Sequence, residues 1–323
     1  MTDHGEAAAV RPSALAWVRR HLEAGERIVG ARALHGGVTA EMRRLTISTR
    51  DGGTRALVLR TYVDPFFVER AEDSLGREAG ALTLLAGTGV PAPGLVAVDP
   101  AGAHCEYPSL LMTHVAGRTV LDGEDHEGLE TRVRLLARQL VAIHAVRPAE
   151  RPREYEALTT ADTVVVPAGA HAAEWAAAID VIRDPAPPYE GRFLHRDFHL
   201  GNVLFDASPS GPAGDRISGV VDWAGASWGP ADLDVAHCST NLALLHGPEW
   251  GPRFAEAYEG AGGVLAAAAS ARLYWRVRDA LAFSEELRSV ARPWREAGRT
   301  ELTTRAVEER LDAYVTALMV AAG

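Results

Sequence analysis

The chain has 323 residues, of which 47% are hydrophobic and 24% charged, a composition that excludes general disorder. Its 33 basic and 43 acidic residues give a net charge of −10, which disfavours a general nucleic-acid binder because phosphate contacts need a basic excess. The sequence contains no lysine, which excludes Schiff-base catalysis and the lysine of a Walker-type phosphate loop.

The first 115 residues favour a small antiparallel sheet accompanied by helices. Apolar residues at helical spacing predict helices at residues 13–23 and 69–85. Glycine-rich breaks of the kind found in hairpins separate runs that are typical of strands. These predicted strands are residues 27–34, 41–49, 54–62, 94–98 and 109–114.

The rest of the chain, residues 116–323, favours a larger and mainly helical domain. Residues 132–146 are amphipathic, and helical patterns alternate with Gly/Pro breaks from residue 232 onward. Two short apolar runs, residues 203–205 and 217–221, predict a pair of strands in between. We therefore expect an α+β protein with two domains, at residues 1–115 and 116–323.

Cysteine usage and apolar runs restrict the location of the protein. Only Cys105 and Cys238 occur, without a C-x-x-C motif, which argues against a zinc ribbon or a disulfide scaffold. The first ten residues lack the apolar segment of a secretory signal, and the longest apolar stretch, residues 262–269, is too short to span a bilayer. We expect a cytoplasmic protein that has no membrane or nucleic-acid partner.

The most informative segment has the pattern H-x-D-x-x-x-x-N, formed by His195, Asp197 and Asn202. An apolar strand that ends in Asp222 follows it. Phosphoryl transfer needs a carboxylate to meet the acceptor hydroxyl, oxygen ligands for Mg²⁺, and cations near the phosphates. Asp197 can meet the hydroxyl, while the Asn202 amide and the Asp222 carboxylate provide the oxygen types that Mg²⁺ accepts.

These motifs, with the segment GPADLDVA at residues 229–236, resemble the aminoglycoside phosphotransferase family. The segment departs from the family pattern in having a proline directly after its first glycine. The resemblance implies a bilobal, protein-kinase-like fold, with a small antiparallel-sheet N-lobe and a larger helical C-lobe. It implies Asp197 as the catalytic residue and Asn202 and Asp222 as Mg²⁺ ligands, with His195 and Asp234 bracing the catalytic loop.

The same resemblance implies which N-terminal residues bind ATP or GTP. Gly36 and Gly37 lie where the family has its nucleotide-positioning loop. Arg60 stands at the position of the strand lysine that bridges the phosphates, and Glu78 at the position of its ion-pair partner. Alternatively, Arg60 is a surface strand residue and Glu78 lies on a solvated helix face.

The family's linker strand, which contacts the adenine, is similar to residues 110–117 of this chain. The resemblance implies that the backbone around Thr113 and Val115 bonds the adenine edge and that Met112 packs nearby. Together these features predict an ATP- and Mg²⁺-dependent small-molecule kinase. Its expected partner is a small hydroxyl compound, and the oligomeric state is left open.

Two other functions remain possible at this point. His195, Asp197 and His199 form an H-x-D-x-H pattern that would suit a zinc hydrolase. A nucleotide-binding module without turnover, similar to a pseudokinase, is also possible because arginine replaces the expected lysine at position 60.

The nature of the acceptor is open too. The acidic net charge suits an aminoglycoside-like or other cationic substrate but equally serves solubility alone. Asp279, Glu285 and Glu286, close to an aromatic pair, are candidates for meeting a cationic group. An exposed helix face is the alternative interpretation of these three acids.

Overall fold

The structure is a computed structural model, and the residues it describes are 10–34, 39–121, 126–206, 214–285 and 287–322. They form two compact units. The smaller unit comprises the described part of Met1–Ala116 together with the segment Asp222–Gly225. The larger unit comprises the described parts of Gly117–Val221 and Ala226–Gly323.

The smaller unit is built on a five-stranded antiparallel sheet with the strand order β1-β2-β3-β5-β4. Its strands are β1 Arg27–Ala33, β2 Glu41–Ser48, β3 Thr54–Thr61, β4 Leu95–Asp99 and β5 Ser109–Thr113. All five predicted strands are confirmed, with ends that differ by one residue at most. Met112, on β5, is buried.

Helices α1 Pro12–Arg20, α2 Pro65–Val68 and α3 Ala71–Leu85 complete this unit. Proline occupies the first turn of α1, where its missing N–H has no intrahelical partner to lose. The helix ends at Arg20, three residues before the predicted end. Trp17 and Val18 of α1 pack on Leu45 and Ile47 of the sheet to form one core cluster. Burying each such side chain stabilises the fold by about 1.5–3 kcal/mol.

The larger unit is mainly helical, as the sequence predicts. Its helices are α4 His126–His144, α5 Ala172–Arg183, α6 Ala231–His246, α7 Trp250–Gly260, α8 Ala269–Ala282, α9 Leu287–Glu296 and α10 Thr304–Val320. Two antiparallel strand pairs join β6 Gly191–Leu194 to β9 Ser227–Pro230 and β7 Val203–Asp206 to β8 Arg216–Val220. The predicted strand pair is thus confirmed as β7 and β8, and the whole chain has the predicted α+β class.

Helix α6 is the interior helix of this unit, because it is buried on every face and not along one stripe. It begins directly after β9 and packs against α7, α8 and α10. Polar residues on such a helix need partners inside the protein. None of the helices in the described ranges is long and apolar enough to cross a membrane.

Candidate active site

The H-x-D-x-x-x-x-N motif forms the loop between β6 and β7, and its first residue is buried. His195 Nε2 donates to the carbonyl oxygen of Val221 at 3.1 Å, and Nδ1 accepts the N–H of Asp197 at 3.2 Å. Because one ring nitrogen donates and the other accepts, the ring is neutral with its proton on Nε2. His195 therefore has no lone pair left for a metal, and the zinc interpretation that needed His199 as well is wrong. Among the described residues, no three His, Cys, Asp or Glu side chains form a group able to hold a metal ion.

Asp234, in the first turn of α6, holds the backbone of this loop. Its carboxylate accepts the N–H groups of His195 and Arg196, each at 2.8 Å, and it lies 3.1 Å from Nε2 of His144. Arg196 has a φ of 72°, in the left-handed region that non-glycine residues seldom adopt. Burial opposes ionisation of Asp234, but the hydrogen bond from His144 lowers its pKa below the usual value. The ionised carboxylate thus stabilises the strained turn immediately before Asp197.

Three side chains hold the carboxylate of Asp197. The Asn202 Nδ2 donates to Oδ2 at 2.7 Å, while His237 Nε2 lies 3.1 Å and His199 Nε2 3.4 Å from Oδ1. Desolvation opposes ionisation, yet the two histidines lower the pKa of Asp197 well below its usual value. The side chain is still 45% exposed. Asp197 is therefore a fixed, ionised carboxylate that solvent-borne molecules can reach, suited to accepting a hydrogen bond from a hydroxyl group.

In the smaller unit, Arg60 of β3 bridges two carboxylates. Its Nη1 lies 2.9 Å from Oε2 of Glu78 on α3 and 2.9 Å from Oδ1 of Asp222, and its Nη2 lies 3.2 Å from Oδ2 of Asp222. Arg60 is only 5% exposed and Glu78 only 1%. The predicted ion pair is therefore present, and the alternative of a surface arginine with a solvated glutamate is wrong. Burial disfavours the charged guanidinium, but Glu78 and Asp222 raise the pKa of Arg60 above its usual value.

The proposed metal ligands have the donor atoms that Mg²⁺ needs. Both hydrogen bonds of the Asn202 amide, to the carboxylate and the carbonyl of Asp197, use Nδ2, so its oxygen is the atom left for a cation. Each carboxylate oxygen of Asp222 accepts one hydrogen bond from Arg60 and keeps a further lone pair. Asp222 has a φ of 65°, a second strained position within the motifs. The residue types and their remaining lone pairs fit a hard, oxygen-preferring cation.

The structure describes only some of the residues that are predicted to contact the nucleotide. Gly36 and Gly37 lie outside the described residues. The N–H of Thr113 already donates to the carbonyl of Gly94 at 2.8 Å, and the Thr113 hydroxyl accepts the N–H of Gly94 at 2.7 Å. The Thr113 amide is thus committed within the sheet. Val115, the other residue whose backbone is predicted to contact the base, lies just after the end of β5.

The three acidic residues predicted as candidates for binding a cationic acceptor do not share one exposed helix face. Asp279 is 3% exposed and bonds His237 and Thr240, so the exposed-face interpretation is wrong for this residue. Glu285 is exposed and accepts a hydrogen bond from Thr159 at 2.8 Å, whereas Glu286 lies outside the described residues. Sequence reasoning therefore missed the role of Asp279 and missed His237 altogether. The signal available was a histidine three residues after Asp234, on a helix otherwise rich in apolar residues.

A very small cavity of about 10 Å³ lies beside His199 in the larger unit. Most of its walls are apolar, and no Asp or Glu is among the described residues that line it. The lining residues are Leu121, His199, Leu200, Asn241, Leu242, Leu245 and Trp294. A cavity of this size has room for a single water molecule and not for an acceptor.

Comparison with known proteins gives one family match. The model of the phosphotransferase enzyme family, APH, matches residues 30–275. Comparison with curated protein sequences finds no match.

Several solved structures are similar to this chain over most of its length. Aminoglycoside phosphotransferase APH(4)-Ia is 18% identical, with a TM-score of 0.60 over 94% of this chain and 97% of that chain. Aminoglycoside-3'-phosphotransferase of type VIII is 22% identical, with a TM-score of 0.53 over 82% and 97%. The amicoumacin kinase hAmiN is 13% identical, with a TM-score of 0.58 over 95% and 96%. At these identities the similarity shows a common fold.

Proposed function

The chain belongs to the phosphotransferase enzyme family, and from this membership we propose that it transfers the γ-phosphate of ATP, with Mg²⁺, to a hydroxyl group of a small molecule. The observation that carries the proposal is the carboxylate of Asp197, ionised, accessible and held at both oxygens. In phosphoryl transfer the protein contributes mainly positioning and charge stabilisation, and a fixed carboxylate of this kind orients the attacking hydroxyl.

The proposed roles follow the motifs. Asp197 accepts the hydrogen bond of the acceptor hydroxyl, whose oxygen forms a bond to the γ-phosphorus as the bond to the β-γ bridging oxygen breaks. The hydroxyl proton passes to Asp197 and then to water, and ADP leaves. Asn202 and Asp222 are the proposed Mg²⁺ ligands, and bound Mg²⁺ would neutralise phosphate charge. Arg60 is the proposed cation for the phosphates.

Nucleotide use is supported by the similar structures. One structure of APH(4)-Ia contains AMP-PNP and hygromycin B, and the structure of hAmiN contains AMP-PNP with Ca²⁺. We propose ATP as the donor, with GTP as the competing nucleotide to test. Val115 is the proposed backbone donor to the base. A cytoplasmic location, where both nucleotides and Mg²⁺ are present, is part of the same proposal.

The net charge of the chain bears on the class of the acceptor. The net charge of −10 favours a cationic acceptor, such as an aminoglycoside. A neutral hydroxyl compound is the competing class to test, because an acidic surface equally serves solubility. An acceptor screen should therefore contain both classes, with ADP release as the readout.

Replacing Asp197 by asparagine tests the proposal. We expect kcat to fall by about 10²–10⁴-fold, because the neutral amide neither aligns the acceptor hydroxyl as the carboxylate does nor takes its proton. Asp206→Asn is the matched control, since Asp206 is an exposed carboxylate at the end of the neighbouring strand β7. Thermal unfolding of both variants checks that the fold is retained.

Two outcomes would contradict the proposal. Full turnover by the Asp197 variant would remove the assigned role. Tight binding of ATP and Mg²⁺ without ADP release from any acceptor would favour the module without turnover, which the arginine at position 60 suggests.

A further inference from the structure

A chain of buried polar groups runs from α8 to the catalytic loop through α6. His237 Nδ1 lies 3.1 Å from Oδ1 of Asp279, and His237 Nε2 lies 3.1 Å from Oδ1 of Asp197. The hydroxyl of Thr240, three residues further along α6, donates to Oδ2 of Asp279 at 2.7 Å. His237 is 8% exposed and Asp279 is 3% exposed. The imidazole is thus fixed on both sides within the interior of the larger unit.

The hydrogen-bond chemistry determines the charge of His237. Ionised carboxylates only accept hydrogen bonds, and a neutral imidazole has a single N–H to donate. Only the imidazolium form satisfies Asp197 and Asp279 together. Desolvation opposes that charge, but the two carboxylates raise the pKa of His237 to about 10.

The other groups around the ring do not compete for its protons. His199 faces it from the catalytic loop at a ring-centroid distance of 6.0 Å, and Phe283 faces it from the turn after α8 at 5.3 Å. On its own helix, the Asn241 amide bonds the backbone carbonyl of His237 at 3.0 Å. The two carboxylates are therefore the groups that hold the imidazole ring by hydrogen bonds.

We infer that His237 is a positioning residue for phosphoryl transfer: it fixes Oδ1 of Asp197, and Asp279 and Thr240 in turn fix His237. This inference rests on the proposed function. Asn202 holds Oδ2 while His237 holds Oδ1, so the carboxylate has one orientation toward the acceptor hydroxyl. A buried cation beside Asp197 also keeps it ionised, which suits a transition state in which proton removal contributes less than alignment.

Two amide substitutions separate positioning from structural support. The amide nitrogen of His237→Gln occupies roughly the place of Nε2 and can still donate to Asp197. The amide nitrogen of His237→Asn occupies roughly the place of Nδ1 and can donate only to Asp279. Both variants remove the same positive charge and one of the two hydrogen bonds, so their stabilities should fall by similar amounts.

The kinetics of the two variants should differ. We expect kcat of His237→Asn to fall by about 10–100-fold, because misplacement of a reacting group by about 1 Å costs up to about 100-fold. We expect His237→Gln to keep kcat within about 5-fold of the wild type, because its hydrogen bond to Asp197 is retained. KM for both substrates should change less than about 2-fold, since neither variant removes a substrate contact. His246→Gln, the same substitution near the end of α6, is the control and should leave kcat unchanged.

A second measurement does not depend on turnover. NMR of isotope-labelled histidine in the free, full-length protein should show His237 protonated at pH 8, and Asp279→Asn should lower its pKa. Equal kcat losses in the Asn and Gln variants would overturn the positioning role, as would a His237 that titrates near 6.5 in the wild type. If the wild type releases no ADP with any acceptor, the proposed function fails, and the NMR result alone decides whether His237 clamps Asp197 as a cation.

Discussion

Arg60 is a buried cation that binds two carboxylates at once. It is buried with Glu78, and its fork-shaped guanidinium also holds both oxygens of Asp222. Lysine would offer a single ammonium point and could not reproduce this bidentate contact. Arginine at this position is therefore a different structural solution and not a neutral exchange.

Removing the charge of Arg60 should strongly destabilise the smaller unit. Arg60→Met leaves Glu78 as a buried carboxylate without its cation, and breaking such a pair costs about 3–5 kcal/mol. The double variant Arg60→Met/Glu78→Leu removes both charges and should recover most of that loss. Urea unfolding measures the free energy of each protein. Equal free energies of unfolding for the single and the double variant would show that the pair is not coupled.

At the scale of elements, the pairing of β6 with β9 places the start of α6 beside the catalytic loop. Asp234 lies at the start of α6 because β9, which pairs with β6, leads directly into that helix. Its carboxylate therefore reaches the backbone of the loop that follows β6. The left-handed backbone at Arg196 is stabilised by this carboxylate.

Asp234→Asn should remove activity and stability together. The amide oxygen can still accept one backbone N–H, but its NH₂ cannot accept the other, and an unsatisfied buried donor costs about 1–3 kcal/mol. Asp232→Asn is the matched control, because Asp232 is buried in the same turn but accepts the N–H of Ala266 instead. Both variants should lower the urea midpoint, but only Asp234→Asn should lower kcat. A similar loss of kcat in both would show that α6 acts only through general stability.

Local patterns predict the strands of the smaller unit, and the family resemblance implies the Arg60–Glu78 pair. The other long-range partners of the site residues are not predicted. Strands β1 to β5 are predicted because runs of residues typical of strands and glycine-rich breaks are local signals. The pairing of Arg60 with Asp222 joins residues 162 positions apart, and the pairing of His237 with Asp197 spans 40 positions. Such contacts depend on how strands and helices pack, which local patterns do not encode. The left-handed backbone at Arg196 and Asp222 is not predicted either, because glycine is the usual sequence signal of that conformation and neither residue is a glycine.

For the molecule as a whole, the groups around the catalytic loop predict how stability depends on pH. Asp197 and Asp234 have lowered pKa values, so their contributions are present above the unfolded pKa and are lost as the pH falls through the folded pKa. His237 has a raised pKa of about 10, so its contribution is complete below the unfolded value of about 6.5. That contribution is lost as the pH rises from about 6.5 to about 10.

The loss of stability at alkaline pH is assigned to His237, and comparison with the variant His237→Gln measures it. The free energy of unfolding of the wild type should exceed that of His237→Gln, and the difference between the two proteins should be largest at pH 6. The difference should shrink steadily between pH 7 and pH 10, because the folded wild type retains a proton that the unfolded chain releases. Urea unfolding of both proteins at pH 6, 7, 8 and 9 provides the comparison. A difference that stays constant over this range would mean that the pKa of His237 is the same in the folded and the unfolded chain, and a difference that grows with pH would mean that the folded ring is neutral. Either result would rule out an imidazolium stabilised by the two carboxylates.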